Sequence, residues 1–522
     1  MRQTKLLMAV AAALTFACTD IDEPPRDGTD TAQTATATAD DEETPTVEGC
    51  TVLGDRIEIP YTTNNMRRAM TALRAGNKAA VAGDMTEDDI ATTHLYLRFA
   101  PRDSADVMAL ERHTAIMFSD VPMDREIAAA GDYYHDPSLP DSVPTYQYCA
   151  VRVGQPLPDV PHETLAELFL MEETNVYDDA ETASGNKAAD PLWETLEAEA
   201  YAQVGLSDYL EDDGGEPAAG NKGAWRPGGR LRYEDTTSKK DVPMEGVPIR
   251  YRRILVVHQC CTDAEGYFNF GRMRGKVSYY AKWQRDDFHI RGIGKAVTVA
   301  KTWLSGRGRR RVDFVIRPDR SEAWKYASVF RAAHYYYYKH AELGLSRPGD
   351  RNLVIRLSYK TPSKDGVFIS PQFPGTSNIK VYYHKLSNSY EFFGITIHEI
   401  AHSAHFNWDK IRYWQTSTKV KEAWARGVEN RATMKVYNMI NNNYNGTYTG
   451  IVMGLMDIDT NVGNGDISKQ KETVSGFTIS EIEASLRGAT TWTRWRDNLK
   501  HKTYNGRRQQ EQIDKLFEAW DF

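Results

Sequence analysis

Two segments poor in large apolar side chains divide the 522-residue chain. Residues 19–48 contain ten acidic residues, one arginine and only two large aliphatic residues, so they cannot bury enough apolar surface to offset the entropy lost on ordering. Residues 211–229 are rich in Gly, Pro and acidic residues, which is typical of a linker. Because the length is about three times that of a usual single domain, we expect folded regions at 49–210, 230–316 and 317–522.

The composition excludes several classes of protein. A hydrophobic share of 41% and a charged share of 26% indicate a globular chain, not a disordered protein or a polytopic membrane protein. The 64 basic and 72 acidic residues give a net charge of −8, which provides no global positive field for a nucleic-acid backbone. We therefore expect no nucleic-acid partner. Five cysteines are too few for a disulfide scaffold, although Cys50 and Cys149 could form one bridge.

The first eighteen residues predict export. Arg2 and Lys5 precede an apolar stretch at 6–16, which is too short for a membrane-spanning helix of ~20 residues and is typical of a secretory signal. With Ala17 before Cys18, the segment resembles a bacterial lipoprotein signal, whose cysteine is lipidated and becomes the mature N-terminus. The resemblance implies a membrane partner through a lipid anchor on Cys18, at the outer membrane or cell surface of a Gram-negative bacterium. A secreted or periplasmic protein is the alternative.

Residues 49–210 follow the signal peptide (1–18) and the disordered acidic tether (19–48), and their mixed pattern predicts a small α+β domain. No chemical motif stands out in it. The expected strands are 93–99 and 115–118, and the expected helices are 104–112, 164–170 and 191–204.

Residues 230–316, after the linker, show short strands rich in β-branched and aromatic residues, which predict a β-sandwich. Residues 262–268 read TDAEGYF and follow a strand that begins EGVPI. This motif resembles the carboxypeptidase regulatory-like domain, which implies a prealbumin-like sandwich that is accessory, not catalytic. A generic hairpin with Gly266 at a positive φ is the alternative. The basic loop 307–311 is expected to be a solvated hairpin tip or a protease-sensitive connector, and an anion-binding patch is the alternative.

The residues that carry chemistry are His-Glu-Ile-Ala-His at 398–402. On a helix, positions i and i+4 share one face, so His398 and His402 can direct two imidazole nitrogens to one metal ion, with Glu399 beside them. Zinc binds nitrogen and oxygen ligands tetrahedrally and leaves one position for a water whose pKa falls to roughly 7. The pattern predicts metal-assisted hydrolysis with Glu399 as the general base.

A second predicted helix, at 420–436, carries Glu422, and nineteen residues separate it from His402. This spacing resembles the thermolysin-like, or gluzincin, arrangement, in which a glutamate on the next helix completes a zinc site. Residues 422–428 (EAWARGV) are also similar to a segment of secreted bacterial lipoproteins that carry such a site after a regulatory-like sandwich. The resemblance implies a mainly helical zincin-type catalytic domain at 317–522, with Zn²⁺ as cofactor and His398, His402 and Glu422 as ligands.

The chain departs from the gluzincin pattern after the third ligand. Those enzymes carry an aspartate four residues later, which supports a zinc histidine, and here that position is Arg426. The supporting carboxylate must come from elsewhere, and Glu429 and Asp409 are the candidates. His405 and Glu429 also compete with Glu422 as ligands. However, His405 lies too far along the helix axis, and Glu429 fits substrate binding or support of a ligand better.

Three further residues are candidates for stabilising the oxyanion, a role that gluzincins give to a downstream His or Tyr. They are Tyr444, Tyr448 and His501. Together, these patterns predict a multidomain α+β protein that acts as a zinc metallopeptidase on a protein or peptide substrate at the cell envelope. The alternative is a surface lipoprotein that binds a glycan or protein and has a vestigial zinc site, which the intact base Glu399 disfavours.

We predict that replacing Cys18 with Ala moves the protein from the membrane to the soluble fraction. Stable anchoring needs two acyl chains, and the diacylglycerol group on a lipoprotein cysteine supplies them. Fractionation of cells that express either form measures the shift. Retention of the variant in membranes to the wild-type extent would show that the anchor is elsewhere.

Overall fold

A computed structural model describes residues 50–76, 83–113, 115–170, 191–210, 224–292, 298–319, 322–359, 366–369, 378–456, 474, 476–502 and 510–521. Cys18, the predicted signal and the predicted tether lie outside the described residues. Within them the protein is mixed α+β, with several sheets and eleven α-helices, and the C-terminal region is largely helical. No helix in this part of the chain is long and apolar enough to cross a membrane.

The first described region, up to residue 210, combines a small sheet with helices. Its strands are β1 (Val52–Arg56), β2 (His94–Phe99), β3 (Arg125–Ala129), β4 (Gln147–Arg152) and β5 (His162–Leu168), and its helices are Thr63–Ala75, Ser104–Arg112 and Pro191–Gln203. The sheets are β4-β2-β5 and β1-β3, with every pair antiparallel. Asp103 caps the helix Ser104–Arg112 by accepting from the backbone N–H groups of Ala105 and Asp106.

Two predictions for this region are wrong. Residues 164–170 were expected to be helical, but most of them belong to β5, which pairs along its length with β2. This pairing outweighs the helix propensity of the Glu, Leu and Ala residues there. Residues 115–118 form no strand, and Ser119 alone makes a bridge to Tyr148. The bridge considered between Cys50 and Cys149 is also absent, since both thiols are free.

The middle region consists of short strands. They are β6 (Ala224–Trp225), β7 (Gly228–Asp235), β8 (Lys240–Pro243), β9 (Pro248–Arg253), β10 (Val256–Cys261), β11 (Tyr267–Asn269), β12 (Met273–Arg274), β13 (Ser278–Lys282), β14 (Gln284–Arg285), β15 (Phe288–Arg291), β16 (Lys301–Trp303) and β17 (Val312–Ile316). One sheet has the order β10-β9-β13-β16, and a second has the order β11-β7-β17 with β8 also on β7. Gly266 has φ = 81°, as its turn position requires.

The C-terminal region adds β18 (Leu353–Ser358), β19 (Gly366–Ile369) and β20 (Asn378–Tyr382). They join β14 and β15 in a five-stranded sheet of order β14-β15-β18-β20-β19, in which β15, β18 and β20 are parallel. Two strands of the middle region therefore complete the C-terminal sheet. One buried cluster runs from Trp225 to Trp520, so the limit predicted at residue 317 falls inside a continuous core.

Two long helices lie at the centre of the C-terminal region, and we call them the histidine helix (Ser389–Trp408) and the glutamate helix (Thr418–Tyr437). The other helices here are Ala323–Leu343, Lys410–Gln415, Ile451–Leu455, Ile479–Leu486, Trp492–Lys502 and Gln510–Ala519. The histidine helix begins at the cap Asn388, whose side chain accepts from the backbone N–H of Glu391 at 3.1 Å. The glutamate helix ends at Asn438 in the left-handed conformation, with φ = 55°.

We predict that Gly427→Ala destabilises the C-terminal region. A Cβ at this position of the glutamate helix would lie 2.4 Å from Cβ of Val452, whose branched side chain has little freedom to move. Such overpacking costs about 1–3 kcal/mol of unfolding free energy. Urea denaturation measures the change.

Gly454→Ala is the matched control. Its Cβ would make an ordinary contact, 3.4 Å from Cδ1 of Leu516, so the better helix propensity of Ala should leave stability unchanged or raise it by up to about 1 kcal/mol. Equal unfolding midpoints for wild type and Gly427→Ala would contradict the close packing of these helices.

Candidate metal centre

The histidine helix brings two imidazoles together in the interior of the protein. His398 and His402 are one turn apart on the same face, and their ring centroids lie 4.9 Å from each other. Both side chains are buried. The helix can be buried on most sides because the residues between and before the histidines are mainly Phe, Ile and Ala.

The glutamate helix supplies a carboxylate to both rings. Oε2 of Glu422 lies 3.1 Å from Nε2 of His398 and 3.2 Å from Nε2 of His402. The three donor atoms lie within 4.8 Å of one another, so this cluster could hold a metal ion. Tetrahedral zinc with bonds of 2.0–2.1 Å separates its ligand atoms by about 3.3 Å, and the two distances to Glu422 match that spacing.

The far side of His398 is held by a second carboxylate. Nδ1 of His398 lies 3.0 Å from Oε2 of Glu429, one of the two residues that the sequence offered for this support. Glu429 is itself fixed by Nη1 of Arg426 at 3.2 Å and by Nδ2 of Asn441 at 3.0 Å. The other candidate, Asp409, instead caps the helix Lys410–Gln415. A carboxylate behind an imidazole orients the ring and increases its basicity toward a metal.

His402 has a different partner on its far side. Nδ1 of His402 lies 3.4 Å from the hydroxyl of Tyr413 on the short helix Lys410–Gln415. The ring of His405 packs against Trp408 and Tyr413, at centroid distances of 5.2 and 5.1 Å. Burial lowers the pKa of His405 to about 3, so this imidazole is a neutral packing group. It is not part of the cluster.

Charge makes the cluster attractive to a cation. Glu399, Glu422 and Glu429 place three carboxylates around the two histidines, against one guanidinium from Arg426. Burial alone would lower the pKa of His398, but hydrogen bonds to Glu422 and Glu429 raise it to about 9. Burial opposes ionisation of Glu422, yet hydrogen bonds from both histidines hold its pKa well below the usual range. A divalent ion could take the place of the proton that these carboxylates favour on His398, because a metal binds the neutral imidazole.

Glu399 lies next to the cluster under an edge strand of the sheet. Its side chain is buried, and β19 approaches it so closely that a Cβ on Gly366 would lie 2.7 Å from Oε1 of Glu399. A side chain at position 366 would therefore displace the Glu399 carboxylate from this position. Gly366 was not predicted, because the motif at 398–402 does not indicate which strand crosses the histidine helix.

Tyr448 reaches the cluster, whereas His501 does not. The ring of Tyr448 lies 5.8 Å from the ring of His398, and the Arg426 guanidinium lies 5.1 Å from its centroid. Burial and the nearby carboxylates of Glu422 and Glu399 raise the pKa of Tyr448, so its hydroxyl stays protonated. His501 is exposed on the helix Trp492–Lys502 and has no contact with the cluster among the described contacts.

Three supporting residues were not predicted. Arg426 was seen only as a departure from the family pattern, yet it holds Glu429 and covers Tyr448. Asn441 and Tyr413 lie in other segments and contact the site through the packing of the two long helices. The spacing of residues along one helix does not predict contacts with residues of other segments.

The chain was compared with protein-family models and with curated proteins. No protein-family model matches the chain, and no curated protein matches it at a significant level. The likeness to gluzincins therefore depends on the sequence motif and on the positions of a few side chains.

We predict different effects for the two glutamates of the glutamate helix. Glu422→Ala should lose zinc as severely as His398→Ala, because each substitution removes a ligand atom. Glu429→Gln should keep the fold and weaken zinc binding by about 10–100-fold, since it only weakens support for His398. Zinc titration against a competing chelator measures both effects.

Asp409→Asn is the control, since Asp409 supports a helix end and not the cluster. Its zinc affinity should equal that of the wild type. Tight, stoichiometric zinc in Glu422→Ala would overturn the ligand assignment.

Proposed function

We propose that this protein is a zinc-dependent metallopeptidase with a gluzincin-type site. The observation that carries the proposal is the contact of one Glu422 oxygen with Nε2 of both His398 and His402, next to the buried carboxylate of Glu399. Two nitrogens and one carboxylate oxygen are the donors that catalytic zinc takes from proteins. Once bound by these three side chains, zinc would polarise the attacking water and the scissile carbonyl.

The chain's own residues supply the remaining chemistry. Glu399 accepts a proton from the attacking water and delivers it to the leaving amine. Tyr448 keeps its phenolic proton and donates a hydrogen bond to the oxygen on which charge develops. Glu429 accepts from Nδ1–H of His398, which fixes the tautomer that leaves Nε2 facing the cluster.

The edge strand favours a peptide as the substrate. In the sheet order, β19 is at the end and pairs only with β20 among the described strands. An extended peptide can add to such an edge by main-chain hydrogen bonds. Because Gly366 of this strand lies against Glu399, a peptide paired there would pass beside the general base.

The proposal includes the predicted setting of the enzyme. Export, a lipid anchor on Cys18 and a position at the outer membrane or cell surface follow from the resemblance to a lipoprotein signal, with a secreted or periplasmic form as the alternative. A regulatory-like sandwich would act as an accessory region. A binding lipoprotein with a vestigial site is the weaker candidate, because a glycan or protein ligand would not need Glu399 and Glu429 at a metal cluster.

We predict that Glu399→Gln keeps its zinc and loses nearly all hydrolysis. The amide has nearly the size of the carboxylate but cannot accept the water proton, and loss of a general base costs about 10²-fold or more in rate. Cleavage of a denatured protein mixture, with and without a chelator, measures activity, and metal analysis measures zinc.

Glu391→Gln is the matched control. It lies in the first turn of the same helix, where its carboxylate accepts from the backbone N–H and the hydroxyl of Ser387, so activity should be unchanged. If Glu399→Gln retained zinc and full activity, the assignment of the base would be wrong.

A further inference from the structure

The hairpin between β9 and β10 extends out of the middle region into another core. Its turn residues Ile254 and Leu255 are almost fully buried, at 3% and 2% exposure. They belong to the same buried cluster as Tyr61, Trp193 and Leu196 of the first region, and not to the cluster of the middle region. We call the described residues up to 210 the N-terminal module, and the hairpin completes its core.

The backbone conformation of this turn indicates that the N-terminal module constrains it. Ile254 has φ = 46°, a conformation that a β-branched residue adopts only at a cost. A surface turn would favour glycine or asparagine here. The surrounding module therefore holds Ile254 in place.

A buried ion pair lies at the base of the turn. Nη2 of Arg253 donates to Oε1 of Glu197 at 2.9 Å, and the Tyr61 hydroxyl donates to the same oxygen at 2.6 Å. The side chain of Glu197 is fully buried and that of Arg253 nearly so. The pair fixes how the hairpin and the module fit together, because either charge buried without its partner would be strongly unfavourable.

Further basic side chains of the middle region surround the hairpin and bind groups of the module. Arg252 donates to the carbonyls of Pro122 and Arg125 at 2.8 and 2.7 Å. The other such contacts are Arg250 to the Phe118 carbonyl, Arg291 to Glu111, Lys301 to Asp120, and Arg307 to Glu126 and Asp208.

Arg307 belongs to the basic loop that was expected to be a solvated tip or a protease-sensitive connector. Arg310 and Arg311 are exposed, as expected, but the guanidinium of Arg307 covers the ring of Tyr209 at 3.8 Å. Arg307 is therefore part of the contact with the module.

We propose that the middle region is a permanent receptor for the N-terminal module, which is not a removable inhibitory propeptide. The receptor groups lie on β9, β15, β16, the turn at Ile254 and Leu255 and the loop that holds Arg307, whereas the candidate metal cluster lies on the histidine and glutamate helices. Cleavage between residues 211 and 223 would then produce two chains that stay associated, held by the apolar hairpin and the buried ion pair. The inference does not depend on the proposed peptidase activity.

The test is a full-length protein with a specific protease site inserted between residues 211 and 223. After complete cleavage, size-exclusion chromatography at low and at high salt should show both fragments in one peak, because the contact combines apolar burial with buried charge pairs. Release of the N-terminal fragment as a separate peak at low salt would overturn the proposal.

Substitutions in the cleaved protein test the role of the hairpin. Leu255→Ser should increase the released fraction, and Tyr267→Ser should not, since Tyr267 is an exposed residue at the start of β11 in the same region. If Leu255→Ser does not fold, Arg307→Ala at the exposed edge of the contact should give a smaller increase. Retention as strong as wild type in both Leu255→Ser and Arg307→Ala would contradict the role of these contacts.

Discussion

The contact between one carboxylate oxygen of Glu422 and two imidazoles is the interaction on which the arrangement of the C-terminal helices depends. It requires the histidine and glutamate helices to lie side by side at a fixed depth, and glycine at 427 allows the next helix to pack closely behind them. Burying carboxylates is costly unless positive charge is nearby. Arg426 meets part of this requirement, and a divalent ion at the cluster would meet the remainder.

Local spacing was enough to find the central residues of the site. His398, Glu399 and His402 lie within five positions of one helix, so helical periodicity places them without any knowledge of the fold. Glu422 could be identified only from its spacing after His402 and from the resemblance to gluzincins. Glu429 was one of two candidates, because the choice depends on which residue of the neighbouring helix faces Nδ1 of His398.

Contacts between segments that lie far apart in the sequence could not be predicted from local residue patterns. Gly366 meets Glu399 because an edge strand crosses the helix, and neither residue signals this alone. The segment 164–170 was misassigned for a similar reason, since its pairing partner β2 lies some seventy positions earlier. The sequence also divided the chain more sharply than the fold does, because β14 and β15 complete a later sheet and the β9–β10 hairpin completes an earlier core.

The proposed function depends most on which ion the cluster binds and on whether His398, His402 and Glu422 are its ligands. The direct measurement is a crystal structure of the full chain grown with zinc, with anomalous diffraction recorded on both sides of the zinc absorption edge. We expect one strong peak bonded to Nε2 of His398, Nε2 of His402 and a carboxylate oxygen of Glu422, at about 2.0–2.2 Å. Absence of zinc from this cluster, or a peak that does not bond Glu422, would contradict the account.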